Sequence, residues 1–196
     1  YGSQQICAQL GRECITVPIT IETDESDLLG DKTLIDGNVV FAKGPVVDAM
    51  ERGAVLLLDE VDLASNKIMC LQGVLEGKPI MIKKTGEVVN VTNGFNIIAT
   101  ANSKGRGSDD GRYSASAILD DAFLERFVAV IDQDHPAPAQ EDRILKLHAN
   151  KMDVDDPGFI EKLIAWANVI RKTFEADGVD DVISTRRLCH IIKTHS

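Results

Sequence analysis

Residues 55–60 read Val55-Leu56-Leu57-Leu58-Asp59-Glu60, an apolar run that ends abruptly in two acids. With Ala54, the run Ala54 to Leu58 is unbroken, the pattern of a strand buried on both faces of a parallel sheet. Open α/β sheets bind ligands beyond the C-terminal ends of their strands, which is where Asp59 and Glu60 fall. Phosphoryl transfer needs a carboxylate to hold hydrated Mg2+ and a second group to orient the attacking water. Consecutive side chains at a strand end point in different directions, so Asp59 and Glu60 can divide those tasks. The plain alternative is a buried strand that runs into an acidic loop.

Outward from this strand, helix and strand signals alternate. Upstream, Pro45 to Arg52 predicts a helix, with Pro45 in its first turn and Gly53 after its end. Asp24 to Gly37 is rich in Asp and Gly, and with Val39-Val40-Phe41 it reads as a loop with a small hairpin. Cys14 to Val17 is a short β-branched strand, and Gln4 to Leu10 has helical spacing before Gly11. Downstream, a helix is expected from about Asn66 to Leu75, and a hairpin around Thr85-Gly86 between Ile80–Lys83 and Glu87–Val91. Phe95 to Thr100 and Phe127 to Ile131 are two further expected strands. Beyond Pro136 and Pro138 the apolar residues fall at amphipathic helical spacing: Ile144 and Leu145, then Phe159, Leu163, Trp166 and Ile170, then Leu188, Ile191 and Ile192. The expected fold class is α/β, a mainly parallel sheet flanked by helices over residues 1–135, followed by a small all-helical domain over 136–196.

Composition narrows the function. The 196 residues suffice for one sizeable core, or for one domain with a small appendage. At a formal net charge of −10 the chain repels nucleic-acid backbones and anionic lipid, which argues against a nucleic-acid partner. No apolar run nears the roughly 18 to 20 residues of a membrane span, and Tyr1-Gly2-Ser3-Gln4-Gln5 has no signal-peptide character. Cys7, Cys14, Cys70 and Cys189 lack metal-ligand spacing and read as buried or partly buried thiols of a reducing cytoplasm.

Three further places carry polar residues suited to a nucleotide site. The strand ending Ala99-Thr100-Ala101-Asn102 presents an amide, Asn102, that can orient water, although asparagine after a strand is commonly turn chemistry. Arg126, in Asp120-Asp121-Ala122-Phe123-Leu124-Glu125-Arg126-Phe127, can stabilise charge on a phosphoryl group of a neighbouring subunit, or pair with Asp120, Asp121 or Glu125. Ser184-Thr185-Arg186-Arg187 opens the last helix, as a cap and as arginines able to reach a nucleotide.

In this order and spacing the pieces resemble the AAA+ superfamily, specifically its MoxR clade. By that resemblance Asp59-Glu60 is similar to the Walker B pair, Asn102 to sensor 1, Arg126 to the arginine finger and Arg186 to sensor 2. Ser26 to Gly30 and Phe41 to Pro45 resemble segments that precede Walker B in the clade. The Val39 to Phe41 region resembles the clade's helix-2 insert, and the Pro79 to Val91 hairpin its pre-sensor hairpin. The stretch Ala99 to Gly107, continuing to Arg112-Tyr113 and Leu119-Asp120, is similar to the ATPase subunit of aerobic cobaltochelatase. The resemblance implies ATP and Mg2+ as cofactors, with Asp59 the metal-side carboxylate. It also implies a homo-oligomeric ring, a hexamer, that acts on a client or on a metal-ion-binding partner protein during cobalt insertion. Relatives of this kind also serve as chaperones with other clients.

One departure stands out: a G-x-x-x-x-G-K-[ST] phosphate loop occurs nowhere in the 196 residues. In the family that loop precedes a helix resembling Tyr1 to Leu10, so the loop and its strand are expected upstream. A non-catalytic scaffold that keeps the shape for assembly is the competing reading. A nucleic-acid translocase using Lys78, Lys83 and Lys84 is a third, set against lysines that merely protect a strand edge.

Overall fold

The computed structural model describes residues 2–102 and 121–195. It divides into two compact units, Tyr1–Val130 and Ile131–Ser196.

The first unit opens with helix α1 (Gly2–Gln9), which buries only Cys7, and strand β1 (Cys14–Pro18). The Asp-rich segment that reads as a loop with a small hairpin forms the hairpin, its first strand being β2 (Gly30–Ile35), but the part before it is helix α2 (Glu25–Leu29) rather than loop. The reason is a capping box. Asp24 accepts hydrogen bonds from the backbone N–H groups of Ser26 and Asp27, and Asp27 accepts one in return from the Asp24 N–H. β2 pairs antiparallel with β3 (Asn38–Lys43) across the two-residue turn Asp36-Gly37. Both turn residues have positive φ, as a tight hairpin requires.

Helix α3 (Pro45–Arg52) starts on Pro45, ends at Gly53 in the left-handed conformation, and buries Val46, Val47, Ala49 and Met50. Strand β4 (Val55–Asp59) follows. The helix expected over Asn66–Leu75 is split: a 3-10 segment (Asn66–Leu71) leads into the single turn of α4 (Gln72–Leu75). A short hairpin, β5 (Ile80–Met81) with β6 (Val88–Val89), precedes strand β7 (Asn96–Ala99).

The sheet that matters for function has the order β1-β4-β7, all parallel. Because β4 is central, Val55 to Leu58 are all buried, as their unbroken apolar character requires. Leu56 and Leu58 join Val46, Met50, Val61, Leu71 and Val74 in the main core.

The expected strand over Phe127–Ile131 does not form. After helix α5 (Asp121–Leu124), the N–H groups of Arg126 and Phe127 turn back to the carbonyls of Phe123 and Leu124. Those donors are therefore spent on a turn rather than a ladder, and Val128 beyond it is 105% exposed.

The regular elements described in the second unit are three helices, α6 (Pro138–Lys151), α7 (Pro157–Glu175) and α8 (Thr185–His195). Leu145, Ala149, Ile160, Leu163, Ala167, Leu188 and Ile192 form its core. Among the described residues no helix is long and apolar enough to cross a membrane. All four cysteines are free thiols, and burial pushes Cys70 up to about 11, so it stays protonated near neutral pH.

Candidate nucleotide site at the sheet edge

Asp59 is the last residue of β4, half-buried between its two neighbouring strands. On one side its carbonyl accepts the Ile19 N–H at 2.9 Å, just past the Pro18↔Asp59 pair. On the other side stands Thr100, directly after β7. Its hydroxyl donates to Asp59 Oδ1 at 2.5 Å and accepts the backbone N–H of Glu60 at 2.9 Å. Glu60 leaves the strand in the left-handed conformation (φ 59, ψ 47) and is exposed. The two acids therefore do diverge: Asp59 is tied into the edge, and Glu60 extends into solvent.

Asn102 belongs to the same edge. Its backbone N–H donates at 2.9 Å to Oδ2 of Asp62, a fully buried carboxylate in the short 3-10 turn Val61–Leu63. The side chain of Asn102 is on the exposed side. The structure thus gathers Asp59, Glu60 and Asn102 at the C-terminal rim of β4 and β7.

Arg126 lies elsewhere in this unit. Its Nε donates to Glu76 Oε1 at 2.7 Å, and its Nη1 donates to the Ala122 carbonyl. The intrachain partner is therefore Glu76, just after α4, and not the neighbouring Glu125; Asp120 and the Asp121 side chain lie outside the described residues. Hydrogen bonds from Lys78 and then from Arg126 hold the Glu76 carboxyl below its ordinary range. Arg186 is exposed in the first turn of α8, in the second unit. The cobaltochelatase-like residues Ser103–Gly107, Arg112-Tyr113 and Leu119-Asp120 also lie outside the described residues.

The hairpin lysines all have intrachain partners: Lys78 with Glu76, Lys83 with Glu25 at 3.0 Å, and Lys84 with Asp31 at 2.7 Å. Their charge is balanced locally, and two of these pairs tie the β5–β6 hairpin to α2 and β2.

The donor set suits a hydrated divalent cation on one side of Asp59. Oδ1 is occupied by Thr100, and among the described residues Oδ2 makes no hydrogen bond, which leaves one hard carboxylate oxygen for a metal-bound water. No phosphate loop is present in the sequence, so no residue of this chain is assigned to the phosphates.

Thr100 and Asp62 were not singled out from sequence. A threonine ending a strand carries no distinctive pattern, and its two partners lie about 40 positions away.

Residues 2–127 match the family described as AAA domain (dynein-related subfamily). The chain belongs to that family of AAA domains. An uncharacterized protein of Staphylococcus saprophyticus is 28% identical over 176 residues, covering 86% of this chain and 62% of the relative. One from Staphylococcus aureus strain USA300 is 33% identical over 121 residues, covering 58% of this chain and 43% of its own length. The chain thus spans about half the length of these curated relatives. Among solved structures, a candidate ATPase from Cytophaga hutchinsonii superimposes with a TM-score of 0.54 at 19% identity, over 81% of this chain and 47% of that one. At that identity the likeness is one of fold.

Proposed function

We propose that the full-length protein binds and hydrolyses ATP as a subunit of an AAA+ ring and uses the energy to remodel a partner protein. One observation carries the reading: two acids with different surroundings stand at the C-terminal rim of the central parallel strand, bridged by one hydroxyl. Family membership supports it.

Bound MgATP supplies the electrophilic γ-phosphoryl group and neutralises charge as the bond to the leaving phosphate breaks. Asp59 would hold the hydrated Mg2+ with the carboxylate oxygen that Thr100 leaves open. Glu60, free to extend from its left-handed backbone, accepts a hydrogen bond from the attacking water and polarises it. The Asn102 amide fixes that water from the adjacent strand end. Arg126 serves the site of the next subunit in a ring of six, and Arg186 links nucleotide state to the helical unit.

The client follows from sequence resemblance: a metal-ion-binding partner in cobalt insertion, as in the MoxR-clade cobaltochelatase ATPase, or another protein substrate of a MoxR-type chaperone. A second reading, a non-catalytic scaffold, draws on the pairing of Arg126 with Glu76 inside its own chain.

One substitution separates the two. In the full-length protein Glu60→Gln is expected to lower ATP turnover by about 10²-fold or more while nucleotide binding persists. Equal loss of binding and turnover would count against the role of Glu60. A wild-type protein that binds without hydrolysing would support the scaffold.

A further inference from the structure

We infer that Thr100 is the positioning residue for both acids, one hydroxyl setting the Asp59 carboxylate through Oδ1 at 2.5 Å and the Glu60 backbone through its N–H at 2.9 Å. The inference rests on the ATPase reading above and names a component of that site which motif matching leaves out.

A threonine hydroxyl has one hydrogen to donate and two lone pairs to accept with, so both contacts form at once. The donated hydrogen goes to a carboxylate, the charge-assisted kind of bond, which is shorter and stronger than a neutral one. The accepted bond holds Glu60 at φ 59, a conformation that an L-residue with a long side chain disfavours. Two backbone bonds, from the Leu63 N–H to the Glu60 carbonyl at 2.9 Å and from the Val61 N–H to the Thr100 carbonyl at 2.8 Å, hold the C-terminal side of Glu60. The Thr100 hydroxyl holds its N–H side, so loss of the hydroxyl loosens the side chain's exit direction.

Thr100 is itself held on both sides. Its N–H donates to the Leu58 carbonyl at 2.9 Å, and its carbonyl accepts the Val61 N–H at 2.8 Å. The backbone of Thr100 therefore brackets the two acids, Leu58 before them and Val61 after them. A β-branched side chain on such a backbone has few χ1 choices, so the hydroxyl is delivered to one place. By engaging Oδ1, it also leaves Oδ2 as the metal-facing oxygen. Position and division of labour between Asp59 and Glu60 thus come from the neighbouring strand rather than from the acids' own segment.

The test uses the full-length protein with Thr100→Val, which keeps the shape and removes the hydroxyl, and Thr100→Ser, which keeps the hydroxyl. ATP turnover is followed against Mg2+ concentration, with nucleotide binding and Tm alongside. Thr100→Val is expected to lower kcat about 10²-fold and to raise the Mg2+ midpoint several-fold, with nucleotide affinity and Tm little moved. Thr100→Ser is expected to stay within about threefold of wild type in turnover, because both hydrogen bonds survive. Thr100→Ala carries the same expectation as the valine variant should the latter fail to fold. A hydroxyl-free variant with wild-type kcat and an unmoved Mg2+ midpoint would overturn the inference. So would a serine variant as impaired as valine, since the methyl group's packing would then matter. Wild-type protein without hydrolysis would instead overturn the ATPase reading, and Glu60→Gln as active as wild type would overturn the role of Glu60 alone, so the failures are told apart.

Discussion

Gly30 shows how tightly single residues are constrained in the first unit. It has φ +117, and a Cβ there would run into the Ala42 carbonyl and stand 2.8 Å from the Gly44 nitrogen. Gly44 is just as closed, with the Leu28 carbonyl 2.5 Å from where its Cβ would be. Two backbones meet here without side chains, and the Gly44 N–H donates to the Leu29 carbonyl at 2.9 Å. Gly30→Ala is therefore expected to cost at least about 2 kcal/mol in urea unfolding, from strain and clash together. Gly73→Ala is the contrast: it lies in α4, meets nothing nearer than 4.0 Å, and is expected to be neutral or to stabilise by about 0.5 kcal/mol. If both alanines behave alike, the close approach at Gly30 is not what the structure depicts.

Among the elements, the short helix α2 and the two hairpins are held by two kinds of force of different size. Leu28 and Leu29 of α2 are buried in the main core, against α3 and its neighbours. At the surface Lys83 pairs with Glu25, Lys84 with Asp31, and Lys43 with both Glu51 and Glu87. Exposed pairs of this kind contribute at most about 1 kcal/mol each, and salt screens them. Deleting a buried leucine side chain costs about 2–5 kcal/mol. Leu28→Ala is thus expected to lower unfolding stability by about 3 kcal/mol, and Lys83→Met with Lys84→Met by less than about 1 kcal/mol. A larger effect from the lysine pair would mean that ionic contacts, rather than the core, dock the hairpin.

At the scale of the whole molecule, two units with separate cores give separable readouts. Trp166, the sole tryptophan, is 47% exposed on α7 and reports on the second unit. That unit encloses an ion pair: Arg171 donates from Nη1 and Nη2 to the two carboxylate oxygens of Glu141 at 2.8 Å, and from Nε to the Ile183 carbonyl at 3.0 Å. Thr185 adds a bond to Glu141 at 2.6 Å, so α6, α7 and the start of α8 converge on one carboxylate. Burial by itself would raise the Glu141 pKa, but the bonds from Arg171 and Thr185 outweigh it and hold the carboxyl below its ordinary value. A depressed carboxylate contributes stability that is present above about pH 4.3 and is lost as pH falls through its folded-state value. His135 is also held low, first by burial and then by Arg171, so its contribution is complete above about pH 6.5 and fades below it. Both signs agree. Urea midpoints read from Trp166 fluorescence are expected to fall as pH drops below about 6.5, where His135 contributes, and to fall again below about pH 4.3, where the Glu141 contribution is lost; a flat profile across both windows would contradict the assignment. Glu141→Ala, which strands a buried guanidinium, is expected to cost about 3 kcal/mol at pH 7.

Much of this was legible in the residues alone. The run Val55 to Leu58 declared the central strand because a strand covered on both faces tolerates unbroken apolar residues, and Asp59-Glu60 marked its C-terminal end. Helix α3 was equally plain from Pro45 and Gly53. What stayed hidden depends on contacts between distant segments. The composition of residues 24–30 concealed α2, whose start is made by a reciprocal cap. The apolar stretch after Arg126 suggested a strand, yet a strand exists only where a neighbour takes up its hydrogen bonds. The partner of Arg126 and the hydroxyl that bridges the two acids were likewise decided by tertiary structure. Periodicity reports which face of an element is buried; it does not report which atom of a residue about 40 positions away arrives beside it.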